Sequence, residues 1–234
     1  MPVDDVYTVA LLHMDGSDAS TTFLDESGKT WTSNDSAQID TAQSKFGGAS
    51  GLFDGASDYI SSADSADWQF DGGSNSNEWT IDFWVRFNGA VAAQEPFFDQ
   101  YVDANNEQFF WKNNNTLNYI VKSGGTIIVN VSFAWTPSGD TWYHIALVKQ
   151  GTTGYKCFVD GTQVGSTTTD TDTIPNFAAS LRIGVANNQG VTTYYLDGWL
   201  DELRISKGIA RWTANFTPPT QAYAGASGNF LELF

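Results

Sequence analysis

The chain has 234 residues, 11 basic and 27 acidic, for a formal net charge of −16. Such a surface repels phosphate backbones and anionic bilayers, so neither nucleic-acid binding nor membrane insertion is expected. Cys157 is the single cysteine, which excludes an internal disulfide framework and marks a residue expected to be a small buried apolar one. No apolar run reaches the roughly 18 residues a membrane-spanning helix needs. The opening Met1-Pro2-Val3-Asp4-Asp5 lacks the basic start and apolar stretch of a signal peptide, so no cleaved signal is expected.

Tyr7–Met14 reads as a first strand ending at the Asp15-Gly16 turn. Leu52-Phe53 runs into Asp54-Gly55, and Asp58–Ser61 follows. The clearest element is Trp79–Phe87. Trp79, Ile81, Phe83, Val85 and Phe87 fall on one side, and Thr80, Asp82, Trp84 and Arg86 on the other. This period of two fits a strand and no helix. Pro96–Tyr101, Glu107–Lys112 and Leu117–Lys122 are separated by Asn-rich tips, and Thr126–Phe133, Trp142–Gln150 and Tyr155–Val159 come next. Asp160-Gly161 has the chemistry of a two-residue type I′ hairpin turn, leading into Thr162–Thr167. Leu181–Ala186 and Tyr194–Ser206 complete a set of about a dozen short strands with no helical pattern between them, which predicts an all-β sandwich or barrel. The domain is expected to span 1–223. Residues 224–234 form a C-terminal tail whose apolar end, Phe230-Leu231-Glu232-Leu233-Phe234, is expected to pack on the domain or on a partner.

Several stretches carry specific wording. They are Leu11–Gly16, Phe53–Ile60, Trp142–Val148 followed by Phe158–Gly165, Leu181–Gly184, Leu196–Ser206 and Ala210–Pro219. Together they resemble the concanavalin A-like lectin/glucanase superfamily, in its laminin-G-like jelly-roll branch of the type found in bacteriophage tail and virion proteins. The resemblance implies a two-sheet antiparallel jelly-roll sandwich that binds glycans or protein ligands, with a structural calcium beside the first and last strands. Asp15, at the first Asp-Gly turn, and Asp201, in the last long strand, are the metal candidates it implies; both acids alternatively serve turn amides. A virion surface is the setting it implies, with other virion proteins as further partners.

Sugar recognition needs planar aromatic faces with fixed polar groups beside them. The candidates are Trp111, Tyr119, Trp135 and Tyr194, with Tyr101 and Tyr195, next to Asn113–Asn115 and Asn187-Asn188 on loop tips. His13 and His144 sit in apolar strand runs and are expected to be hydrogen-bonded packing residues. No Cys/His cluster suggests zinc, and no Gly-x-Ser-x-Gly elbow suggests a hydrolytic triad. A glucanase would carry acids at alternate positions of one strand, whereas Asp82 is followed on its face by Trp84 and Arg86. The first reading is therefore a non-catalytic module of a phage tail or head that binds glycans or other surface ligands. A structural virion protein making only protein–protein contacts is the alternative, and a glycoside hydrolase comes last.

Overall fold

The computed structural model describes residues 6–188 and 190–224. The chain's apolar end, for which packing on the domain or a partner was expected, lies outside them. Seventeen strands occur among the described residues: β1 (Thr8–Leu12), β2 (Thr32–Asn34), β3 (Gln38–Asp40), β4 (Ser50–Asp54), β5 (Tyr59–Ser62), β6 (Trp79–Phe87), β7 (Gln94–Asp103), β8 (Asn106–Asn113), β9 (Thr116–Ser123), β10 (Thr126–Ala134), β11 (Trp142–Gln150), β12 (Gly154–Val159), β13 (Thr162–Thr168), β14 (Leu181–Ile183), β15 (Val185–Asn188), β16 (Thr192–Tyr195) and β17 (Asp197–Lys207). They form an all-β sandwich of the jelly-roll type, as the period-two pattern predicts. The first sheet runs β13-β12-β11-β6-β17-β4-β3, with β1 beside β17; the second runs β10-β9-β8-β7-β14-β5-β2; β15 and β16 form a separate hairpin. All pairings are antiparallel.

The core between the sheets is aromatic. Trp79, Ile81, Phe83, Val85 and Phe87 of β6 meet Phe98, Phe110 and Tyr119 of the second sheet. Phe83 and Phe97 have ring centroids 4.9 Å apart, and Trp79 sits edge-on to Tyr119 at 5.5 Å. Burial of side chains this large supplies most of the driving force. Cys157 is a buried free thiol within this core. Between β12 and β13, Asp160 and Gly161 both have positive φ (48° and 73°), the signature of a type I′ turn. A Cβ on Gly161 would lie 1.9 Å from the Phe216 carbonyl oxygen, so glycine also lets the later chain dock there.

The two outer faces differ. On the first sheet, the chain after β17 folds back as a strap. Ala210, Trp212 and Phe216 pack over Ala146, Val148 and Phe158, while Tyr223 packs on Leu11. Trp212 and Phe216 stack at 4.1 Å, and each makes a T-shaped contact with His144. Beneath the strap, Arg204 donates to both oxygens of Asp82, at 3.0 and 3.1 Å, and stacks 3.8 Å over the Tyr223 ring. The Tyr223 hydroxyl donates to Asp82 as well. Burial pushes the Asp82 carboxyl up, yet Arg204 and His144 outweigh it and hold it at about 2.

Leu181–Ala186 is not one strand. Gly184 (φ 88°) breaks it, because a Cβ there would sit 2.6 Å from the Phe53 ring. The same bend ends β14 in the second sheet and starts the β15–β16 hairpin, which lies over the outer face of that sheet at Phe109 and Trp111. The strand expected from Tyr194 onward is likewise divided at Leu196 into β16 and β17.

Replacing Arg204 by Met leaves the Asp82 carboxylate buried without its cation and should cost about 3–5 kcal/mol, read as a lowered urea midpoint. The double replacement Asp82→Asn, Arg204→Met should recover part of that loss. Because the folded pKa is depressed, the pair's contribution is complete above the unfolded value of 3.8 and is lost as pH falls through about 2.

Candidate binding surface and cation cradle

A β-bulge in β17 organises the first of two candidate sites. The pairing of β17 with β6 slips between Asp201 and Arg204, and Glu202 takes φ 51°. This extra residue keeps Leu200, Leu203 and Ile205 in the core while both Asp201 and Glu202 stay out of it. Glu202 accepts from His13 Nδ1 at 2.7 Å and from the Tyr223 amide at 2.7 Å. The hydrogen-bonded role expected of His13 is thus met by Glu202, and that of His144 by Asp82 and Tyr223, at 3.5 and 3.4 Å.

Asp201 Oδ2 accepts from the amides of Lys45 and Phe46, at 2.7 and 3.1 Å, so this acid does serve turn amides. Its Oδ1 is buried and has no partner. Burial, with Glu202 and Asp15 adding to it, pushes the Asp201 carboxyl up to about 8. Asp15 belongs to the same cradle: its Oδ1 is also buried and unpartnered, and burial raises its carboxyl against the pull of His13. Gly47 (φ 63°) closes the cradle, because a Cβ there would lie 2.0 Å from Asp15 Oδ2. Two carboxylates, each with an orphaned buried oxygen, suit a hard cation that completes its shell from backbone carbonyls and water. Among the described residues, no group of three or more His, Cys, Asp and Glu is placed to hold a metal ion, so backbone and water would have to supply most of the shell.

The second site is the outer face of the second sheet. The registers align one residue from each strand into a row: Thr32, Ser61, Arg182, Asp99, Phe109, Ile120 and Asn130. The hairpin covers the Phe109 part of this row and reaches the buried Asp99, while the Arg182 side chain keeps 22% exposure. Arg182 donates through Nε (2.7 Å) and Nη2 to the two oxygens of buried Asp99, which also accepts from the Asn187 amide at 2.9 Å. The guanidinium lies 5.8 Å from the Tyr59 ring and 6.0 Å from the Tyr101 ring. Both tyrosines are half-buried. Asn34 Nδ2 donates to Ser61 Oγ and to the Thr32 carbonyl, both at 3.0 Å, fixing the polar end of the row.

The aromatic residues singled out from sequence are distributed differently. Tyr119 is fully buried, with its hydroxyl donating to Gln108 Oε1 at 2.6 Å. Its position on β9 faces the core, so its expected ligand role is corrected: no surface ligand meets its ring. Trp111 faces outward but lies beneath the hairpin at 4% exposure, its ring 5.4 Å from Tyr194. Trp111 and Tyr194 therefore meet, while Trp135 is half-buried elsewhere against Phe87 and Tyr143. Tyr59 and Arg182 were not singled out. Their signal was present in Leu181-Arg182-Ile183, where a cation between two core residues must point away from the core.

Residues 53–210 match a laminin-G model described as the concanavalin A-like lectin/glucanases superfamily. The chain belongs to this superfamily. No curated protein sequence matches it. Among solved structures it is similar to botulinum neurotoxin type C, whose cell entry depends on interaction with two ganglioside molecules (TM-score 0.61, 14% identity, 86% of this chain and 47% of that one). It is also similar to the binding domain of Paraclostridial Mosquitocidal Protein 1 (TM-score 0.62, 15% identity, 86% and 48%). The chain spans about half the length of these toxin chains. A third similarity is to domain 4 of AbnA, a GH43 extracellular arabinanase from Geobacillus stearothermophilus, in complex with arabinotriose (TM-score 0.60, 20% identity, 86% and 93%). At these identities the likeness establishes the superfamily's sandwich fold.

Gly47→Ala should lower stability by about 1–3 kcal/mol through its left-handed backbone and its encounter with Asp15. In an Asp15→Ala background the same change should cost measurably less, because only the backbone part remains. A double-mutant cycle from urea unfolding gives the difference.

Proposed function

We propose that this chain is a non-catalytic carbohydrate-binding module. The observation that carries the reading is Arg182, clamped by Asp99 between the half-buried Tyr59 and Tyr101 on a partly exposed sheet face. Sugar C–H faces stack on rings while hydroxyls need fixed donors and acceptors, and this surface offers both. The ganglioside interaction of the neurotoxin and the arabinotriose bound to the arabinanase domain support the same reading. Catalysis is disfavoured by the fate of the carboxylates. Asp82 and Glu202 are sealed under the strap and fully hydrogen-bonded, and Asp99 is committed to Arg182. Glycoside hydrolysis needs a pair of accessible carboxylates, and these three are not free to serve as one.

The cradle at Asp15 and Asp201 is proposed to hold a structural calcium ion, which would satisfy both orphaned oxygens and tie the segment carrying Lys45 and Phe46 to β17. The setting is proposed to be a phage particle, on the tail or decorating the head. This rests on the wording of Trp142–Val148 and Leu196–Ser206, which resembles that branch of the superfamily. A purely structural virion protein is the second reading, favoured by β10, a nine-residue edge strand with no charged residue to discourage pairing.

A glycan array probed with the full chain should give binding that Tyr101→Ala and Arg182→Lys each weaken about tenfold or more. Binding to no glycan, with a concentration-dependent oligomer in its place, would favour the structural reading. Calcium should raise the thermal midpoint of the wild-type chain above its value in chelator, and Asp201→Asn should abolish that rise.

A further inference from the structure

The open half of the sheet face does not end at Ser61. Beyond β2 lies a groove of about 430 Å³ lined by Thr21, Thr22, Trp31, Thr32, Ser33 and Asp35. Thr32 belongs both to this groove and to the cross-strand row that leads through Ser61 to Arg182. Four strands, β7, β14, β5 and β2, therefore carry one polar track from Tyr101 to Thr22, half-buried at Tyr101, Arg182 and Ser61 and exposed at Thr32 and Thr22. At about 4.8 Å between neighbouring strands the track is roughly 14 Å wide before the groove is added, several times the width of one sugar ring.

Uncharged hydroxyl and amide groups line much of the track. Thr21, Thr22 and Thr32 are exposed hydroxyl residues, and Ser61 and Asn34 are held by their mutual hydrogen bond. The one aromatic residue of the groove, Trp31, is buried at 6% exposure with its indole N–H already donated to Asp25 Oδ2, so the groove walls are mainly hydroxyls. The single cation of the track, Arg182, is neutralised by Asp99, while Asp35 adds a negative charge at the far end. A ligand bearing many negative charges would meet no net positive surface here, on a chain whose formal charge is −16.

We propose that the ligand is a neutral oligosaccharide of at least three units lying across the strands, with one part stacked beside Tyr59 and Tyr101 and the other in the Thr22–Thr32 groove. This rests on the carbohydrate-binding reading above and adds to it a second subsite, a direction and a charge class. The ligand is then held along its length and not by one terminal sugar.

The test is an array of matched neutral series (arabinan, glucan, galactan, xylan and mannan oligosaccharides of one to six units) beside uronic-acid chains. The binding series is then titrated into the full ¹⁵N-labelled chain. Affinity should rise about tenfold or more between the dimer and the pentamer, and the pentamer should shift the amides of Thr22 and Thr32 together with that of Arg182. Thr22→Trp, at an exposed position, should reduce pentamer affinity to the dimer's level while leaving dimer affinity unchanged; Thr22→Ser should retain the length dependence. Equal affinity for dimer and pentamer, or shifts confined to the Arg182 neighbourhood, would overturn the extended track and leave carbohydrate binding standing. Preference for the uronic-acid chains would overturn the neutral class. Binding to no member of the array would overturn both this inference and the function it rests on.

Discussion

The Asp82–Arg204 pair holds the strap against the outer face of the first sheet. Both groups point outward from the first sheet, where an unpaired charge would simply be solvated. Instead Trp212, Phe216 and Tyr223 close over them and remove the water. Taking two charges out of water costs several kcal/mol each, and only mutual attraction with good geometry returns it. Fork-to-carboxylate contact at 3.0 and 3.1 Å, a tyrosine hydroxyl and a stacked ring supply that geometry. The pair therefore specifies where the strap must lie, and the strap covers the outer face of the first sheet around β6, β11, β12 and β17.

The second sheet is built the opposite way. Its Asp99–Arg182 pair has the same side-on fork, but the cover differs: the β15–β16 hairpin lies over Phe109 and Trp111 and reaches Asp99 through the Asn187 amide, while the Arg182 side chain stays partly exposed. The result is a cation fixed by its carboxylate, flanked by two tyrosines and left with solvent on one side. Such an arrangement places donors without a conformational search, which lowers the entropic cost of binding a ligand that offers many weak hydrogen bonds. The two ion pairs are chemically alike, and what covers them distinguishes the two faces.

Much of this was legible from residues alone. The alternation over 79–87 fixed β6 and its core face, and Asp160-Gly161 fixed a turn whose two positive φ angles only that chemistry accommodates without strain. The layers above the sheets were not legible. Leu181–Ala186 reads as one apolar run, and its break at Gly184 depends on the Phe53 ring, far away in sequence. Trp111 and Tyr119 look equivalent as strand aromatics, yet β8 turns one outward under a hairpin and β9 turns the other into the core. Asp15 and Asp201 were reached through family wording, and the physical sign that they belong together, an orphaned buried oxygen on each, exists only in three dimensions. Arg182 was passed over because its surroundings read as scaffold.

Hydrogen–deuterium exchange resolved by segment tests the division into one sealed and one open face most directly. Amides of β6 and β17 should exchange slowly, and the 209–223 strap should be protected with them as one unit. On adding a bound oligosaccharide, further protection should appear at β5, β14 and β2 and leave the strap unchanged. A strap that exchanges at the rate of an open chain, or ligand protection falling on the strap in place of those strands, would contradict the account.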